Sequence, residues 1–99
     1  MNLEMLNNIS MKILTLSGNA KKKLTDALTL AETDCDSKKV NSLLEEAHVL
    51  LVNAHVEQNK VIAEVETLEY SVLFTHAQDT LANTETIEFL TRHLIKLTK

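Results

Sequence analysis

The amino-acid sequence predicts an all-α fold: an antiparallel three-helix bundle, each helix about thirty residues and ~45 Å long. Three observations carry this expectation. The chain holds no proline and one glycine, which leaves few means of building tight hairpins. Apolar residues recur at steps of three and four through three long segments, the spacing of a helix with one buried side. Two short stretches, Asp34-Cys35-Asp36-Ser37 and Thr67 to Ser71, interrupt that pattern and serve as connectors. A bundle this long has a thin core, and apolar residues occur on more than one side of the second and third helices. Such a chain gains by coiled-coil-like association along its length, so a homo-oligomer is expected.

The first helix is expected from Leu3 to Thr33. Leu6, Ile9, Ile13, Leu16, Ala20, Leu24, Ala27 and Ala31 line its buried side. Gly18 interrupts it at a cost of about 1 kcal/mol relative to alanine, which suggests close approach of another helix there. Asp36 or Ser37 can cap the second helix by accepting from its free backbone N–H groups. That helix is expected to run from Ser37 to Glu66, with Val40, Leu43, Leu44, Ala47, Leu50, Leu51, Ala54, Val61 and Val65 inside. Thr67 or Ser71 can cap the third helix, which extends nearly to Lys99. The short connection makes helices two and three antiparallel neighbours. Lys96 and Lys99 then stand at the negative end of the third helix's dipole.

Composition bounds the rest. A chain of 99 residues forms one domain, 1–99, because separate domains rarely fall below ~50 residues. Ten Lys plus Arg against fourteen Asp plus Glu give a net charge of −4, which disfavours nucleic acid, a ligand that selects basic faces. Lys21-Lys22-Lys23 reads as a solvated helix face. A single cysteine, Cys35, fits a reducing cytoplasm. No apolar run approaches the ~20 residues that cross a bilayer, and the first residues lack the basic cluster of a secretory signal. Mixed, net acidic charge also disfavours lying on a membrane.

Candidate chemistry concentrates near the start of the third helix. At roughly 100° per residue, Val72, Leu73, Ile87, Leu90, Leu94 and Leu97 share one side, and His76, Asp79, Thr80 and Asn83 interrupt it. Phe74, Ala77, Leu81 and Ile95 form a second apolar strip on roughly the opposite side. The first turns of this helix are therefore expected to be packed from two directions, with His76 and Asp79 between packed layers or at a subunit seam. A spacing of three puts the two on one surface, where the carboxylate can orient the imidazole or hold a cation. A neutral imidazole nitrogen is a competent nucleophile toward phosphorus. The plainer reading is a satisfied core histidine beside a salt-bridged aspartate. His48, His55 and Gln58 lie on a flank of the second helix, where they present a second histidine to the site or fill a partly buried seam. His93 reads as surface. No HExxH, CxxC, EF-hand loop, glycine-rich phosphate loop or nucleophile elbow is present.

Tyr70-Ser71-Val72 leading into His76-Ala77-Gln78-Asp79 and Leu81 resembles the IIA component of the lactose/cellobiose class of the phosphoenolpyruvate-dependent sugar phosphotransferase system. Ser17-Gly18-Asn19-Ala20 with Lys23-Leu24 and Ala27-Leu28 agrees, as does Glu46-Ala47 through Ala54-His55 and Gln58. The resemblance implies a homotrimer of three-helix bundles. It implies that His76 accepts phosphate from the phosphocarrier HPr and passes it to a cysteine of the IIB component, for sugar uptake through the membrane IIC component. It also implies that Asp79 meets its symmetry mates around a magnesium ion near the trimer axis. Gln78 matches the family's glutamine, although its helix angle points it away from the His76 stripe. Thr80 stands where the family commonly has a second histidine; its hydroxyl can contact a phosphate oxygen but carries no proton or positive charge. Ala77 replaces a usual glycine, and Leu81-Ala82 a Leu-Met pair. The rival reading is a structural helical oligomer, or a diverged relative that no longer transfers phosphate, in which the polar seam only fixes register.

Overall fold

A computed structural model describes residues 1–33, 36–64 and 71–98. Three helices, α1 (Leu3–Thr33), α2 (Ser37–Ile62) and α3 (Val72–Leu97), run side by side in a rod of 49 × 17 × 16 Å. Among the described residues there is no strand, and no helix is long and apolar enough to cross a membrane.

The caps show why the helices begin where they do. An Asp36 carboxylate oxygen accepts from the Lys38 and Lys39 backbone N–H groups at 3.1 and 3.2 Å. The Ser71 hydroxyl accepts from Phe74 N–H at 3.1 Å. Each uses an extended backbone to satisfy N–H groups that have no partner inside the helix. Thr67, the other candidate cap for α3, lies outside the described residues, as do Cys35, Val65 and Lys99. α2 stops four residues before the expected Glu66. Ala63 and Glu64 form a closing turn in which Glu64 N–H donates to Val61 O at 3.0 Å, a tighter i→i−3 bond typical of a helix ending.

The buried positions of α1 are Leu6, Ser10, Ile13, Ser17, Ala20, Leu24, Ala27 and Ala31, steps of four and three in strict alternation. Ile9 and Leu16, expected inside, are partly buried against the edge of the core, and Ser10 and Ser17 hold the central places instead. Small side chains there and at Ala77 and Thr84 on α3 let helices pack closely. The hydroxyls are accommodated by the helices' own carbonyls: Ser10 donates to Leu6 O at 2.7 Å and Thr84 to Thr80 O at 2.7 Å. The Ser17 hydroxyl is buried without a partner. α1 packs extensively on both other helices, whereas α2 and α3 touch each other least.

α3 buries Ala77, Leu81, Thr84, Thr91 and Ile95, so the Phe74/Ala77/Leu81/Ile95 strip faces the core. Most of the opposite strip does not, although Ile87 is partly buried against the core and Leu73 is half-buried. Val72 (69 % exposed), Leu90 (52 %), Leu94 (50 %) and Leu97 (81 %) look outward, and His76 and Asp79 are exposed with them. Within one chain α3 is packed from one direction only, which removes the reading of these two residues as held between layers of a single bundle.

Gly18 also corrects an expectation, because a Cβ built on it meets nothing within 4 Å. It marks no close helix approach inside the chain, and its only effect there is the entropic cost of glycine in a helix. Gly18→Ala should therefore raise stability in urea unfolding by about 1 kcal/mol. A fall in stability would mean that this face of α1 is covered by another chain.

Candidate functional site

The Ser71 cap fixes the first turn of α3, and Thr75 reinforces it by donating to Ser71 O at 3.0 Å. His76 projects from the next position and Asp79 stands one turn further along the same outward face, both exposed. Neither side chain has a hydrogen-bond or ion-pair partner among the described residues. This contrasts with the histidine and carboxylate pairs elsewhere on the chain and excludes the satisfied, salt-bridged pair of the plainer reading. Thr80 is half-buried and lies within about 40° of His76 around the helix axis, since four residues complete slightly more than a turn. Gln78 is half-buried too, but two residues from His76 it points to nearly the opposite side. The structure thus groups His76, Asp79 and Thr80 and separates Gln78 from them.

The remaining histidines are engaged. His48 Nδ1 lies 3.1 Å from Glu88 Oε2, and His55 Nε2 hydrogen-bonds Glu85 Oε2. Both contacts cross from α2 to the side of α3 that faces it, well round from His76, so neither histidine joins the site. They fill the seam. His93 is exposed, its Nδ1 donating to Phe89 O at 2.8 Å and its ring 4.4 Å from the Phe89 ring.

Two charged residues of structural weight escaped the sequence reading. Arg92 Nη2 approaches Leu44 O at 3.4 Å, Glu88 at 3.5 Å and Glu45 at 3.9 Å, closing the upper α2–α3 seam. The i, i+4 spacing of Glu88 and Arg92 was the available signal. Glu57 is buried on α2 between Lys60 at 2.7 Å and Lys12 of α1 at 3.7 Å; its spacing of three from Lys60 signalled the first contact only.

An exposed imidazole on a rigid helix can be reached by another macromolecule, not merely by a small ligand. Two surface depressions of about 470 Å³ each are bordered by residues such as Ile9, Met11 and Glu57 or Lys23, Glu46 and Val49, on the α1–α2 side, and neither includes His76. Among the described residues no three His, Cys, Asp or Glu side chains gather to hold a metal ion.

The sequence pattern of the family described as "PTS system, Lactose/Cellobiose specific IIA subunit" matches residues 8–99. The chain is 34 % identical to a PTS system lactose-specific EIIA component of Staphylococcus epidermidis, over all of this chain and 97 % of that one. It is 36 % identical to the protein of the same name from Lactococcus lactis subsp. lactis, over all of this chain and 96 % of that one. Its fold is similar to the crystal structure of the PTS cellobiose-specific enzyme IIA from Bacillus anthracis, with a TM-score of 0.86 and 30 % identity. That likeness covers 99 % of this chain and 90 % of the other.

The seam and the outward face of α3 are separable by mutation. Glu88→Ala removes the shared partner of His48 and Arg92 and should cost about 1 kcal/mol in urea unfolding, with no change in the chemical reactivity of His76. Altered His76 reactivity would show that the two faces of α3 are coupled.

Proposed function

The chain belongs to the lactose/cellobiose-specific IIA family of the sugar phosphotransferase system, and from that premise we propose that it is a phosphocarrier acting through His76. The observation that carries this reading is the position of that imidazole: exposed, without a partner among the described residues, on an ordered helix. The donor is phospho-HPr. A ring nitrogen of His76 attacks phosphorus, the N–P bond of the donor histidine breaks, and the freed donor imidazole keeps the electron pair. A cysteine thiolate of the IIB component then attacks the same phosphorus, the S–P bond forms, and the His76 N–P bond breaks. Sugar receives the phosphoryl group downstream, during uptake through the membrane IIC component, and the carrier works in the cytoplasm.

Phosphoryl transfer asks chiefly for positioning and charge stabilisation. The Thr80 hydroxyl, one turn on from His76, would donate to a phosphate oxygen. Gln78, nearly opposite His76 around the helix axis, is given less weight in the transfer than His76. The outward strip Val72, Leu90, Leu94 and Leu97 joins three copies in a homotrimer, and the IIB and HPr partners reach His76 from outside that contact.

Asp79 fits a hard divalent cation in such a trimer. It is an oxygen donor with no partner among the described residues, and three copies would bring three carboxylates together, an arrangement that demands protons or a cation. Magnesium suits oxygen ligands and would act by relieving that repulsion.

Incubation with phosphoenolpyruvate, enzyme I and HPr should place an acid-labile phosphate on the chain, and His76→Ala should abolish it. A folded wild-type protein that takes no label would defeat the carrier reading in favour of a purely structural assembly. Asp79→Leu should keep or raise the thermal stability of the trimer and remove its response to magnesium, because apolar packing commonly matches or exceeds a buried charge cluster. Failure of that variant to fold would contradict the role given to the cation.

A further inference from the structure

Val72, His76, Asp79, Asn83, Leu90, Leu94 and Leu97 recur on the outward face of α3 at intervals of three, four and seven residues. The reading above occupies His76 and Asp79 but leaves Asn83 without a task. Asn83 is exposed and has no hydrogen-bond partner among the described residues. Resting on the proposed association along α3, we propose that Asn83 is a positioning residue: it sets the register in which copies of this chain join.

The leucines cannot set it. A slip of one copy by seven residues lays Leu97 against Leu90, one leucine for another, so the apolar contact is nearly unchanged. The same slip lays the displaced copy's Asn83 beside His76 of its neighbours and lays their Asn83 beside its Leu90. An amide pressed against leucine gives up its hydrogen bonds to water and receives nothing back. In register, each Asn83 meets its own copies. Around a three-fold axis every Nδ2–H can donate to the next chain's Oδ1, closing a ring with donors and acceptors matched. Closed three-fold symmetry also makes the three α3 helices parallel.

Asp79 cannot supply this preference, since like carboxylates at one level repel unless a cation is present. Asn83 is the polar residue of the strip that favours alignment by itself, in the manner of a single buried asparagine in a coiled-coil seam. The alignment it enforces puts the three Asp79 carboxylates at one level and makes the three His76 sites equivalent.

The test is disulfide mapping of the register. Chains carrying Leu90→Cys and chains carrying Leu97→Cys, both with Cys35→Ser, are mixed, reassembled and oxidised, and the crosslinks are identified by mass spectrometry. With Asn83 present, 90–90 and 97–97 bonds should dominate. Asn83→Ile should raise mixed 90–97 bonds several-fold while raising the melting temperature by roughly 5 °C, and Asn83→Gln should restore the like-with-like pattern. A trimer whose crosslinks are the same with Asn83→Ile overturns the role of Asn83 and leaves the association intact. A wild-type chain that stays monomeric removes both.

Discussion

α3 carries more apolar surface than one chain can cover, and the rest of the structure follows from that excess. Its inner strip, Ala77, Leu81 and Ile95, is buried in the core, while Val72, Leu90, Leu94 and Leu97 stay in solvent. Burying a leucine stabilises by about 1.5–3 kcal/mol, so several exposed leucines at helical spacing are a standing drive toward association. His76 and Asp79 lie on that same unsatisfied strip. Both are exposed there, so neither is sealed inside the single bundle.

The least intimate contact inside the chain, between α2 and α3, is closed by charge instead of by aliphatic packing. Two histidine–glutamate pairs and Arg92 span it. Half-exposed pairs of this kind each contribute at most about 1 kcal/mol, so the stability of the bundle rests on α1, which packs against both other helices. This arrangement also sorts the histidines. His48 and His55 are held by glutamates, His93 is bonded to its own helix, and His76 alone among the four is free of a partner among the described residues.

Much of this was legible in the sequence. The bounds of α1, the Asp36 and Ser71 caps and the two strips of α3 follow from spacing and from cap chemistry. Three features were not. Ser10 and Ser17 fill core places that a hydrophobicity pattern assigns to Ile9 and Leu16, because a hydroxyl that bonds its own helix, as that of Ser10 does, can be buried where an apolar side chain is expected. The end of α2 came early, since no glycine or proline marks it. The direction in which His76 faces was also hidden: two apolar strips on one helix do not reveal which is covered by the same chain. The family resemblance is borne out, with a match over residues 8–99 and relatives aligned along the whole chain.

The account turns on the outward strip of α3 being an interface between copies. Light-scattering molar mass, read for the wild-type chain and for Leu94→Glu, tests this most directly. The account predicts a three-fold multiple of the 11.1 kDa chain for the wild type, and a single helical chain for the variant. A wild-type mass equal to one chain, or a Leu94→Glu mass unchanged from the wild-type multiple, would contradict it.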